Sequence, residues 1–225
     1  MRPTLVYVLP QVGNPGHLDY AARFVHSYYH CDPGVDHDTV VVLNGGKADG
    51  LVKALFSPLK NVDFMEYDNS GWDIGAFQLA SKNLSGRLPI FMGSSAFCTR
   101  PGWMQRIVQS IQSNGLGLFG SMGNQGVPQQ NVAPHVRTTG FWMPADVFNR
   151  YPLQVTSPSQ RYEFEHGQNC LSNWARQIGL RRLIVSWAGD WELDHCDSIP
   201  NGLHNGNQSN LLIRDRFTEP PYHSG

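Results

Sequence analysis

Two rhythms of apolar and polar positions alternate along the first half of the chain. Short runs rich in apolar, β-branched and aromatic residues, at positions 4–9, 39–43, 62–67, 88–92 and 116–119, read as strands. The clearest is 39–43 (TVVVL), closed by Asn44-Gly45-Gly46. Between the strands, segments 17–29, 49–56, 73–83 and 103–112 repeat apolar residues at helical spacing, and Pro58 stops the second of them. Strands alternating with helices of this size predict a mostly parallel sheet with right-handed crossovers, an α/β fold of the Rossmann type with helices on its faces.

The second half breaks that rhythm. A Gly/Gln/Asn/Pro-rich loop at 123–134 precedes a strand expected at 136–143, a helix at 163–178 and a strand at 183–187. Residues 191–225 read as an irregular tail. Open parallel sheets bind ligands beyond the carboxyl ends of their strands. That rule points to Pro10-Gln11, Asn44-Gly45, positions 68–73, and Gly93-Ser94-Ser95.

Composition narrows the function classes. With 225 residues, the chain is expected to form one domain. Its net charge of −1 comes with no Lys/Arg block to follow a phosphate backbone, so nucleic acid is not an expected partner. Glycine (23), proline (15) and tryptophan (6) are plentiful while charged residues are sparse at 16%, which suggests tight turns and an aromatic-walled cleft. The four cysteines form no CxxC pair and are expected as reduced thiols in a cytoplasmic protein. The N-terminal apolar run LVYVLP is short for a secretory signal, and no stretch approaches the length of a transmembrane span. The sequons at Asn83 and Asn207 therefore carry no expectation of glycosylation.

Several motifs follow one another in a fixed order. Tyr67-Asp68-Asn69-Ser70-Gly71-Trp72-Asp73-Ile74-Gly75 is followed by Ile90-Phe91-Met92-Gly93-Ser94-Ser95 and Arg100-Pro101-Gly102-Trp103. Gly117-Leu118-Phe119-Gly120-Ser121 and His135-Val136-Arg137-Thr138 come next. This succession resembles GT-A glycosyltransferases of the rhamnan-synthesis-like group, with its bacterial and viral polysaccharide enzymes. Their pattern runs N-x-G-x-D-x-G, a strand ending in a polar triplet, G-P with a Trp, and H-V-(Q/R)-(S/T). The resemblance covers about 67–150 and fades through 179.

The resemblance implies a GT-A-like sheet whose residues 1–122 bind a nucleotide-sugar donor and whose residues 123–190 form an acceptor side. It implies transfer of a hexosyl or deoxyhexosyl group to a glycan or other hydroxyl acceptor, with inversion. Donor-binding candidates are Gln11, Asn44, Gly71, Asp73, Ser94, Ser95, His135 and Arg137. Gly71 and Gly75 would let a ligand approach the helix start, and Asp73 would accept hydrogen bonds from sugar or ribose hydroxyls, unless it only caps its helix. Lys47, Arg100, Arg137 and His135 are candidates to meet leaving-group charge. Metal-dependent members carry Asp-x-Asp where this chain has Gly93-Ser94-Ser95, so Mg²⁺ or Mn²⁺ is not expected in the usual place; Asp194 and His195 are the candidates for a residual metal site.

An inverting transfer needs a carboxylate to take the acceptor proton. Glu165 is the first candidate and Glu163 the second, against a reading in which both merely favour a first helical turn. Asp190 and Asp194 follow them. Trp191, in an acidic and aromatic stretch around Gly189, is the candidate to stack on a sugar as part of a flap. A non-catalytic nucleotide-sugar or glycan-binding domain is the main alternative. A serine hydrolase is disfavoured because neither Ser94 nor Ser121 sits in a G-x-S-x-G elbow.

Overall fold

The computed structural model describes residues 1–10, 17–127, 132–199 and 209–215. Its centre is an eight-stranded sheet that runs in space from β11 (Gly189–Glu192) through β10 (Arg181–Ser186), β6 (Gly117–Gly120), β9 (Gly140–Trp142), β4 (Leu88–Met92), β1 (Pro3–Leu9) and β2 (Asp38–Asn44) to β3 (Val62–Tyr67). Strands β1 (Pro3–Leu9), β2 (Asp38–Asn44), β3 (Val62–Tyr67) and β4 (Leu88–Met92) are mutually parallel. Helices α1 (His17–His30), α2 (Gly50–Phe56) and α3 (Trp72–Lys82) connect them. Asp49, expected as the first residue of α2, is its N-cap and accepts the amide of Val52 at 2.8 Å.

β1 and β2 are buried along nearly their whole length because both faces of the sheet are covered. Leu5, Tyr7, Leu9, Val41 and Leu43 pack with Phe24 of α1, Phe56 of α2, and Trp103 and Ile107 of α4 (Trp103–Asn114). Val6, Val8, Val40 and Val42 face the other way, toward Ile74 and Phe77 of α3 and Phe148 of α5 (Ala145–Phe148). Two-sided burial is why these strands read as continuous apolar runs rather than alternating ones.

The second half departs from the sequence expectation in three places. The strand expected at 136–143 is split. His135–Val136 (β8) pairs with Gly123–Asn124 (β7) in a small ribbon, whereas Gly140–Trp142 (β9) enters the main sheet antiparallel between β4 and β6 (Gly117–Gly120). The helix expected at 163–178 is two helices. One, α6 (Pro158–His166), starts earlier because Ser157 caps it and Pro158 occupies its first turn; Gly167 then ends it before α7 (Leu171–Gln177). The tail is not wholly irregular. After β10 (Arg181–Ser186), Gly189–Glu192 adds the antiparallel edge strand β11, a 3₁₀ helix covers Leu193–Ser198, and Ile213–Arg214 (β12) pairs with Phe97–Cys98 (β5). Among the described residues, no helix is long and apolar enough to cross a membrane.

Register brings the loops of interest to one edge. Tyr7 lies opposite both Val41 and Met92, so the carboxyl ends of β1, β2 and β4 fall on one edge of the sheet, with β4 stopping two residues before β1. Met92 also pairs with Gly140, so the entry to antiparallel β9, Thr138-Thr139, meets the exit of β4.

Candidate donor and acceptor cleft

The turn after β4 is tied from beneath. The buried Tyr7 hydroxyl donates to Ser94 O at 2.6 Å, Arg23 donates to Ser95 O at 2.9 Å, and Gly93 N donates to Thr139 O at 2.9 Å. Burial pushes the Tyr7 hydroxyl far above the ordinary tyrosine value, so it acts as a fixed donor. With their carbonyls held, Ser94 and Ser95 border a cleft of about 380 Å³.

Sequence positions far apart meet there. Asp73, His135, Arg137, Thr138, Glu165 and His166 line the cleft together with the serines. A second cavity of about 290 Å³ adjoins it through Asp73, Ser94 and Arg161, and runs to Pro10, Asn44 and Trp72. Asn44 is 3% exposed, and its Oδ1 has no hydrogen-bond partner. A buried acceptor left unpaired is costly, and its place on this wall makes it a natural partner for a ligand N–H or O–H.

Arg161 joins the two halves. From α6 its Nε stands 3.5 Å from Asp73 Oδ1 on α3 and 3.5 Å from Glu165 Oε2, yet makes no hydrogen bond. Burial raises the Asp73 pKa; Arg161 counters that rise and Glu165 reinforces it. The Thr138 hydroxyl donates to Glu165 Oε1. Beside this cluster, His135 Nδ1 lies 2.8 Å from Ala133 O, so that nitrogen carries the proton. Its Nε2 then accepts from His166 Nδ1 at 3.2 Å, which leaves Nε2 of His166 as a lone pair. Burial lowers the pKa of both rings; Glu165 pulls that of His166 back up.

Other candidates do not belong to the cleft. Gly71 offers no free amide, because its N–H donates to the Tyr67 hydroxyl at 2.8 Å and a Cβ there would meet Val155 O at 2.0 Å. A Cβ on Gly75 would meet the same hydroxyl at 2.1 Å. These glycines serve packing between β3, α3 and the 153–155 segment, and not ligand approach. Asp73 does not cap α3, whose N-cap is Gly71. Glu163 lies outside the lining and accepts the amide of Asn169 at 2.9 Å, closing the α6–α7 turn. Neither glutamate sits in a first helical turn.

Trp191 is on edge strand β11 and packs against the core instead of forming a flap. Asp190 is held by Arg106 and Asn114, and both carboxylate oxygens of Asp194 by Arg182. Asp194 and the exposed His195 are therefore no metal pair. Arg100 is turned to Ser209 O, and Lys47 is exposed outside the cleft. Gln11 and Asn207 lie outside the described residues. All four cysteines are free thiols.

Sequence reasoning missed Arg161, His166, Tyr20, Asn124, Thr139 and Asp215, which also border the cleft. Asp215 is 1% exposed and accepts from the Thr139 hydroxyl at 2.9 Å. The Arg161–Glu165 spacing of four was the available signal for one of them; Asp215 had only the short apolar run Leu211-Leu212-Ile213 before it.

No protein-family model matches the sequence, and no curated protein does. Solved structures do. TarS of S. aureus, a glycosyltransferase, superimposes on 72% of this chain with a TM-score of 0.50 and 16% identity. TarS 1-349 in complex with UDP does so over 72% at 0.50 and 18%. A putative glucose-1-phosphate thymidylyltransferase from Bacillus anthracis covers 79% of the chain and 84% of its own length, with a TM-score of 0.53 and 12% identity. The fold is GT-A-like. This GT-A-like chain spans about a third of TarS, 32% of its length. Gly93-Ser94-Ser95 stands in the GT-A-like sheet where the resemblance places two carboxylates. Among the described residues, no group of three His, Cys, Asp or Glu side chains is placed to hold a metal ion.

Proposed function

We propose that this protein transfers a sugar from a nucleoside-diphosphate sugar to a hydroxyl acceptor, with inversion and without a divalent metal. One observation carries the reading. A carboxylate, Glu165, stands in the same cleft as the Ser94-Ser95 turn, which continues to the unpaired Asn44 acceptor. The nucleoside lies along the Asn44 cavity, and the diphosphate crosses near Ser94, Ser95 and Arg161. The sugar then enters the wider part of the cleft, near Arg137 and His135. TarS has been solved with UDP on a similar fold, which supports a uridine donor among those to test.

Glu165 accepts the proton of the acceptor hydroxyl as its oxygen bonds to the anomeric carbon. The bond from that carbon to the phosphate oxygen breaks on the opposite face, and the nucleoside diphosphate leaves with the electron pair. The Thr138 hydroxyl fixes the base. Arg161 and Arg137 offset the leaving-group charge that a metal would otherwise meet.

Incubation with a panel of nucleotide sugars, reading slow donor hydrolysis and release of nucleoside diphosphate, tests this. Release from one donor, abolished by Glu165→Gln, is expected. Tight binding of a nucleotide sugar with no release under any acceptor would instead make this a binding domain, the reading that the missing carboxylate pair favours.

A further inference from the structure

A third cavity, of about 410 Å³, opens along the face of α6 that carries Pro158, Arg161, Tyr162, Glu165 and His166. It shares Arg161, Glu165 and His166 with the central cleft and adds Trp72, Pro158 and Tyr162. We propose that this groove is the acceptor site, and that its occupant is a neutral pyranoside glycan lying against Trp72 and Tyr162 with one hydroxyl at Glu165. The role given to Glu165 rests on the glycosyl-transfer reading above; the binding itself does not.

The rings are placed for a ligand rather than for the core. Tyr162, in the middle of α6, is 53% exposed. Among the described residues its one aromatic neighbour is His166, met edge-on at 5.4 Å between centroids. Trp72 has φ +52°, a left-handed backbone that a bulky L-residue seldom adopts. The strain is held by a local knot: the Tyr67 hydroxyl accepts the Gly71 amide and contacts Ser70 Oγ at 3.0 Å, while Trp72 N donates to Asn69 O. The result puts Trp72 on the wall of both the Asn44 cavity and this groove. Strain kept at a cleft by surrounding contacts is characteristic of binding sites.

The mixture of groups selects the ligand class. A pyranoside presents an apolar C–H face and a rim of hydroxyls. Rigid aromatic surfaces suit the first, and Glu165, Arg161 and His166 suit the second. A phosphate polymer would find one Arg or Lys in this lining, Arg161, which the donor diphosphate takes up in the reading above, with Glu165 beside it. An extended peptide would need free backbone partners, but the groove wall is the face of α6, a helix whose interior amides and carbonyls bond each other.

Binding measured without donor tests the proposal. Chitotriose, cellotriose and maltotriose serve as neutral pyranosides, ribitol phosphate as an anionic polyol, and a Ser/Thr-rich peptide as the polypeptide alternative. Each is titrated by NMR against the protein, Tyr162→Ala and Trp72→Asn. Asparagine tolerates the left-handed region that Trp72 occupies, and melting curves check that each variant folds. The expected result is saturable binding of at least one trisaccharide, weakened about tenfold or more in both variants. Binding of only ribitol phosphate or the peptide, trisaccharide binding indifferent to either substitution, or no binding at all overturns it. Donor turnover without trisaccharide binding would leave the glycosyl-transfer reading standing and remove this one; trisaccharide binding without any donor turnover would do the reverse.

Discussion

Arg161 Nε stands 3.5 Å from Asp73 Oδ1, across the boundary between α6 and α3, an ionic contact between the second half of the chain and the helix that follows β3. The same nitrogen is 3.5 Å from Glu165 on its own helix. One guanidinium thus faces two carboxylates and completes a hydrogen bond with neither through Nε. Such an arrangement is weak support for the empty fold.

The two glutamates of α6 should separate cleanly. Glu165→Gln keeps the size and the contact to Thr138 but removes the base, so kcat should fall by about 10²–10⁴. Donor affinity, measured by titration with the active nucleotide sugar, should barely change. Glu163→Ala should instead lose about 1 kcal/mol of stability with its bond to Asn169 N, and keep turnover. A dead Glu163 variant beside an active Glu165 variant would reverse the assignment. If Glu165→Gln stays active, the unpaired Nε2 of His166 becomes the next base to replace.

Metal removal should matter little. With Gly93-Ser94-Ser95 at the end of β4, dialysis against EDTA should leave most of the activity. Loss that Mn²⁺ restores would mean that carboxylates such as Asp215 and Asp73 supply ligands after a rearrangement. By contrast, Arg161→Met should weaken nucleoside-diphosphate binding at least tenfold, since charge-assisted hydrogen bonds to phosphate are lost.

Stability around Asp73 should depend on pH with a definite sign. Burial, with Glu165 nearby, raises its folded pKa above the unfolded carboxylate value, so the folded state binds the proton more readily. Stability therefore falls as pH rises from the unfolded toward the folded pKa, and the cost is fully present above the latter. Asp73→Asn escapes it. Relative to the wild type, that variant should gain melting temperature as pH is raised from about 4 to 7. A constant difference over that range would count against the assignment.

The G-x-D-x-G glycines should behave as packing residues. Gly75→Ala should destabilise by about 1–3 kcal/mol because its Cβ meets the Tyr67 hydroxyl. Adding Tyr67→Phe removes the closest clashing atom and should restore part of the loss. Gly71→Ala should show no such rescue, since its Cβ meets the backbone carbonyl of Val155. Equal rescue in both backgrounds would argue for a different cause, which thermal melts of the four variants would reveal.

What the sequence determined by itself was local. The apolar runs of β1, β2 and β4 are legible because burial on two faces leaves few polar positions, and the strand–helix alternation then places Asn44, Asp73, Ser94 and Ser95 along one edge. Motif order also led to Glu165, His135 and Arg137. Tertiary structure alone decided the rest, because it depended on which distant segment each side chain would meet. Trp191, Asp190 and Asp194 look like site residues in a one-dimensional window, yet a core, an Arg106 and an Arg182 claim them. Gly71 and Gly75 look like ligand approaches until Tyr67 and Val155 fill the space. Arg161 and Asp215 look like ordinary surface charges until a capped helix and a returning tail carry them into the cleft. Short-range periodicity is written in adjacent residues; the pairing of charges and the filling of space are set by contacts of long sequence separation, and those form only when the sheet closes.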